Sequence, residues 1–299
     1  MLGELLTITA AVCWAFGASL YKKSLLNVRP VTLNLFRSFP ATIYAFLVLY
    51  LLGKWSLLYE LDMMSLVYIG FSSLLVLVVG DLLYFTGLKS VGVAKTVPVA
   101  YSYSIFVALI SVIFLGEPIT ALIVLGTVAV VSGIWLVASR AENEASKKEH
   151  PKLGILAALG TALCWACGVA VFKIILAKTD PFLLASVRMP FLLPVLGIFM
   201  ILPFGTKSST RQSRRLTRLD IITMSLSGLI AIGFGDTFYL VGLETTKANV
   251  VAPLASTTPL FAAIIAILFL KEKISKRVVV GTFLVTAGIM LLTLEQLLP

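Results

Sequence analysis

The chain has 299 residues, 59% of them hydrophobic and 13% charged, with a mean hydropathy of +1.04. A soluble domain carries about 25% charged residues, so a water-soluble fold with its own catalytic domain is excluded. The net charge of +10 invites a nucleic-acid partner, but the basic residues fall in the loops between apolar stretches, as signals of membrane topology do, so none is expected.

Ten apolar stretches follow one another, at about 4–24, 31–52, 65–87, 93–114, 119–138, 153–176, 182–203, 220–242, 248–270 and 277–297. Each is near the ~20 residues that cross ~30 Å of hydrocarbon. Backbone polar groups in lipid must be satisfied within their own segment, so each stretch is predicted as a helix. The first is no signal peptide: it lacks a basic leader, and Glu4 precedes the apolar run.

Read in order, the stretches state one text twice. The first holds Cys13-Trp14-Ala15-Phe16-Gly17 and ends near Lys22; the second carries Arg37. The third carries Gly80-Asp81, Tyr84 and Gly87-Leu88, and the fourth Pro98. Glu117 precedes the fifth, which has Gly126 and Gly133. After a charged linker, Cys164-Trp165-Ala166-Cys167-Gly168, Lys173 and Arg188 repeat the opening set 151 residues later. Gly235-Asp236, Tyr239, Gly242-Leu243, Pro253, Glu272, Gly281 and Gly288 repeat the rest at an offset of 155. The extra residues lie between Arg188 and Gly235, where a basic loop is found. The organisation read from this is a first repeat at 1–139, a linker at 140–152 and a second repeat at 153–299.

Five helices per repeat is an odd number, so the second repeat enters the membrane upside down, an arrangement found in transporters. The fold class expected is an all-α polytopic membrane protein of ten transmembrane helices in two inverted fives. Loop charge sets the orientation. One face holds sixteen Lys and Arg, among them Lys89, Arg140, Lys207, Arg218 and Lys273; the other holds Lys54, Lys178 and Lys247. The positive-inside rule puts the rich face and the linker in the cytoplasm and both termini outside. Binding of lipid headgroups is a secondary role for those loops.

Inversion places Lys22, Arg37 and Asp81 toward one face and Lys173, Arg188 and Asp236 toward the other, with Trp14 and Trp165 near the middle. The expected layout is a central site with a charged gate at each mouth. A carboxylate inside the membrane costs about 2.5–3.5 kcal/mol at the helix centre. Asp81 and Asp236 are therefore either protonatable or gating groups, or structural ion-pair partners of Arg37 and Arg188. Lys22 and Lys173 either attract an acidic substrate or snorkel to the headgroups. Pro98 and Pro253 release backbone carbonyls, and paired interruptions point to a binding site. The hydroxyls that follow, Tyr101 to Ser104 and Ser256 to Thr258, either line the cavity or bond back to freed carbonyls. Tyr84 and Tyr239 are cavity candidates, with interface anchoring as the alternative. Gly126, Gly133, Gly281 and Gly288 permit close packing of the fifth and tenth helices.

Several chemistries are absent. Cys164 and Cys167 imitate a redox pair, but Phe16 stands at the position of Cys167 in the first repeat. Three cysteines suggest no disulfide framework. His150, the only histidine, lies in the linker, and no phosphate-binding Gly-Lys-Ser/Thr loop occurs. No metal, cofactor or catalytic set is expected.

In helix count and repeat order the chain resembles the drug/metabolite transporter superfamily, and within it the EamA-type proteins. The resemblance rests on Cys13-Trp14-Ala15 with Lys22, Cys164-Trp165-Ala166 with Lys173, Arg37 and Arg188. It extends to Leu115-Gly116-Glu117-Pro118 and Leu270-Lys271-Glu272-Lys273, each followed by a Gly-rich helix. It implies a monomer in the cell membrane with a central cavity, exporting small metabolites or drugs by facilitated or proton-linked exchange. Ala15-Phe16-Gly17-Ala18 and Ala166-Cys167-Gly168-Val169 depart from the polar residue often found after that Trp, which points to a more apolar cavity. The expected cavity lining is Trp14, Tyr84, Tyr101, Trp165, Tyr239 and Ser256, closed in turn by the clusters around Arg37/Asp81 and Arg188/Asp236. The rival reading is a passive, channel-like permease for lipid-like molecules, without ion coupling.

Overall fold

The structure is a computed structural model that describes residues 1–25, 28–91, 93–138, 151–201, 216–270 and 276–295. The linker from 139 to 150, most of the basic loop before Leu216, and Glu272 lie outside the described residues, as do the side chains of Lys22 and Pro98. Twelve helices are described: α1 Leu2–Leu25, α2 Pro30–Leu51, α3 Met63–Val91, α4 Val93–Tyr101, α5 Tyr103–Phe114, α6 Ala121–Ala138, α7 Pro151–Leu176, α8 Pro181–Ile201, α9 Arg218–Thr245, α10 Ala248–Ala255, α11 Thr258–Leu270 and α12 Lys276–Glu295. A short 3₁₀ turn covers Trp55–Tyr59, and no strand is present among the described residues. The six helices α1, α2, α3, α7, α8 and α9 are each long and apolar enough to cross a membrane.

Local sequence explains the helix ends. Pro30 and Pro181 open α2 and α8 with φ already fixed for a helix. Asp62 accepts from Ser65 N at 2.7 Å to cap α3, and Thr217 with Asp220 forms a capping box on α9. Asp180 accepts from Phe182 N at 2.8 Å at the start of α8 and also pairs with Lys54, tying the α2–α3 loop to the α7–α8 loop.

Two predicted helices are broken. The stretch at 93–114 turns at Ser102 between α4 and α5, and that at 248–270 turns at Ser256 and Thr257 between α10 and α11. Pro259 has no N–H to give the carbonyl of Ala255, and Thr258 Oγ1 donates to that carbonyl instead, at 2.8 Å. The two breaks meet, because Ser256 Oγ donates to Tyr101 O at 2.9 Å.

Helices α3 and α9 each contain a π-helical segment, Leu74–Gly80 and Leu229–Gly235, ending directly before Asp81 and Asp236. Such segments carry a wider turn, and in many proteins they mark functional positions. They allow α1 to lie on α9 and α7 on α3. Small residues complete the fit: Gly17 faces Ala231, and Gly168 faces Val76.

Helices α6 and α12 pack directly against one another. A Cβ on Gly133 would stand 2.6 Å from Gly281 O, and one on Gly288 would stand 2.7 Å from Gly126 O. The four glycines thus let the two backbones touch, as small-residue interfaces in membranes do. We expect Gly288→Leu to cost about 1–3 kcal/mol by overpacking, read as a lower unfolding midpoint in detergent. Gly197→Ala, where a Cβ meets nothing within 4 Å, leaves the midpoint unchanged or slightly higher.

Candidate functional site

A cavity opens between α1, α2, α3, α7, α8 and α9, with α4 and α5 supplying Tyr101 and Tyr103. Its wall holds Trp14, Tyr84, Tyr101, Trp165 and Tyr239 together with Arg37, Asp81, Arg188 and Asp236. Both charge pairs are buried.

Each carboxylate gathers partners from across the fold. Asp81, on α3, pairs with Arg37 of α2 and accepts from the Trp165 indole of α7 at 3.3 Å. Asp236, on α9, pairs with Arg188 of α8 and accepts from the Trp14 indole of α1 at 2.8 Å. Trp14 Nε1 also lies 3.0 Å from Ala231 O, inside the π segment. The glycine before each aspartate makes room for the indole: a Cβ on Gly80 would stand 3.0 Å from Trp165 Nε1, and one on Gly235 would stand 2.9 Å from Trp14 Nε1.

Arg37/Asp81 and Arg188/Asp236 line the same cavity as the tryptophans. The π segments break the regularity of α3 and α9 just before both aspartates.

Two further residues are placed elsewhere. Lys173 does not line the cavity: its Nζ donates to Leu243 O at 2.6 Å and Thr246 O at 2.8 Å, capping the end of α9. Ser256 is fully buried in the seam between the helix breaks. It bonds to backbone, which is the alternative weighed for those hydroxyls. The side chain of Lys22 lies outside the described residues. The three cysteines are free, and no cluster of metal-ligand type is found among the described residues.

Sequence reasoning missed Tyr21 and Phe172, which also line the cavity, as does Tyr103, one of the hydroxyls weighed after Pro98. The signal was present: Trp14, Ala18 and Tyr21, and Trp165, Val169 and Phe172, repeat at the i, i+4, i+7 spacing of one helix face. Asn34 was also missed; it accepts from Arg37 Nε at 2.9 Å and donates to Leu77 O at 2.7 Å. Glu117 caps α10 across the molecule, accepting from Ala248 N at 2.7 Å and Asn249 N at 3.0 Å. Gly116, at φ 64°, turns the chain so that Glu117 can reach it.

The geometry is that of a small-molecule cavity with a neutral sum of charges and an aromatic lining. The EamA-like transporter family model matches residues 1–139 and 152–294, and the chain belongs to that family. It is 28% identical over 298 residues to an uncharacterized transporter of Archaeoglobus fulgidus, covering 99% of this chain and 100% of that one. It is 23% identical over 287 residues to the uncharacterized transporter YoaV of Bacillus subtilis, covering 96% and 94% of the two chains. One protein of known crystal structure matches with a TM-score of 0.80 at 16% identity over 99% of both chains, a likeness of fold. The protein is a multi-pass membrane transporter.

Removing one member of a buried ion pair costs about 3–5 kcal/mol, because the other charge is left unpaired. We expect Asp236→Asn, which keeps an oxygen for the Trp14 indole, to lose that order of stability in a detergent denaturation curve. Combining it with Arg188→Gln should recover most of the loss.

Proposed function

We propose that the chain is a secondary transporter that exports or exchanges small amphipathic metabolites, such as amino acids, aromatic compounds or drugs, by alternating access around the central cavity. The observation that carries this reading is the double network, in which two buried carboxylates each join an arginine and an indole in the wall of one cavity. A concave wall of aromatic rings with a few converging charged groups suits a small ligand. The tryptophans and tyrosines offer flat faces to aromatic or cationic groups, and the arginines suit carboxylates.

In this reading the ten apolar stretches are ten spans in two inverted fives. Helices α4 with α5, and α10 with α11, each count as one broken span. Corresponding breaks and corresponding π segments support it. The basic loops and linker lie in the cytoplasm, both termini lie outside, and the protein acts as a monomer in the cell membrane. Alternating access then means that each half in turn gives up the indole it lends to the other.

Counterflow of labelled aromatic and aliphatic amino acids into proteoliposomes tests the proposal. Stacking on one ring contributes about 0.5–1.5 kcal/mol beyond its buried area, and 1.4 kcal/mol is tenfold in affinity. Trp14→Ala and Trp165→Ala are therefore expected to raise half-saturation roughly tenfold. Unsaturable flux indifferent to both changes would favour the passive permease instead. Proton coupling is assigned separately to the two aspartates. It predicts that Asp81→Asn with Asp236→Asn abolishes the pH dependence of transport, and an unchanged pH profile removes it.

A further inference from the structure

The two charge pairs are built unequally. Arg37 is held from several sides. Its Nε donates to Asn34, which is itself anchored to Leu77 O. Its guanidinium carbon stands 4.8 Å from the centre of the Tyr21 ring and 4.9 Å from that of Phe85. At the corresponding sequence positions around Arg188 stand Ala185 for Asn34, Phe172 for Tyr21 and Leu240 for Phe85. Arg188 keeps one ring, Phe172, at the longer distance of 5.7 Å. Its Nε has no hydrogen-bond partner among the described residues, although the side chain is only 3% exposed. A buried donor left without an acceptor is costly, and a guanidinium has five N–H groups to satisfy.

The aromatic rings are unequal in the opposite sense. Trp165 meets Tyr84, Tyr101 and Tyr103 at centroid distances of 5.3, 5.6 and 6.0 Å. Trp14 meets Tyr239 at 5.1 Å, and the positions matching Tyr101 and Tyr103 are Ser256 and Thr258. The rings therefore gather around Trp165, and the buried cation with spare donor capacity is Arg188.

We propose that Arg188 is the residue that receives a carboxylate of the transported molecule, with the cargo's aromatic ring against Trp165, while Arg37 is a fixed structural cation. This rests on the central cavity being the substrate site. A planar guanidinium matches a carboxylate with two parallel hydrogen bonds. Arg188 gains an acceptor by sharing its fork between Asp236 and the cargo, and Asp236 meanwhile keeps its bond from Trp14. A carboxylate at Arg37 would have to displace Asn34 and push the rings of Tyr21 and Phe85 aside, so it finds no unmet donor there.

Phenylglyoxal, an aromatic reagent for arginine, tests the assignment on the purified protein in detergent, with labelling read residue by residue by mass spectrometry. Arg188 is expected to react about tenfold faster than Arg37, the order that one hydrogen bond supplies. Asn34→Ala should raise the rate at Arg37 toward that at Arg188, and Ala185→Asn should slow Arg188. Phenylacetate should slow labelling of Arg188 but not of Arg37, and neutral phenylacetamide should slow neither. Equal rates, no labelling of either residue, no protection by phenylacetate, or equal protection by the amide would each overturn the assignment. Should Ala185→Asn fail to fold, the ratio in the unaltered protein and the Asn34→Ala arm decide. Equal labelling sinks the assignment of Arg188 and leaves the cavity reading intact; transport indifferent to Trp14→Ala sinks the cavity reading and leaves the labelling ratio intact.

Discussion

A carboxylate buried in an apolar protein has to find its hydrogen bonds within reach, and most of this architecture follows from how Asp81 and Asp236 do so. Each takes a cation from the helix before its own and an indole from a helix in the other half of the chain. The ion pair on its own would fasten neighbouring helices. The indole turns it into a cross-brace, because Trp165 belongs to α7 and Trp14 to α1. Polar contacts of this kind are scarce in an apolar interior, and each one selects a particular packing of the helices around it.

The backbone is shaped to allow the brace. A π-helical turn precedes each aspartate, and a glycine at its end lets the indole approach the chain closely. The breaks at Ser102 and Ser256 bring two short helices end to end at the cavity, and Ser256 bonds across them to Tyr101 O. Glu117 closes the open N-terminus of α10 from across the fold. Irregular backbone is tolerated at such depth only where protein surrounds it or a cavity adjoins it, and here side chains satisfy it point by point.

The residues that matter stood out in the sequence because polar groups are conspicuous in apolar stretches. Trp14, Trp165, both arginines and both aspartates were legible in that way, as was the close approach of the glycine-bearing helices. Their meeting in the wall of one cavity was not, because nothing in the pattern shows the π turns that set the register just before both aspartates. Lys173 and Ser256 looked like functional side chains because the sequence does not reveal which carbonyls a helix end leaves open. Asn34 escaped notice because Ala185 stands at its corresponding place, so a reading guided by repetition passes over what is not repeated.

The clasp between α6 and α12 bears on how the chain is made. Its two members are Ala121–Ala138 and Lys276–Glu295, so the second is synthesised well after the first. Chains grow at about 5–20 residues per second, which leaves α6 without its partner for roughly ten to thirty seconds. During that interval its glycine face is open to lipid or to other helices. A chain cut short before α12 would keep that face permanently unpaired and present quality-control machinery with a ready signal of incompleteness.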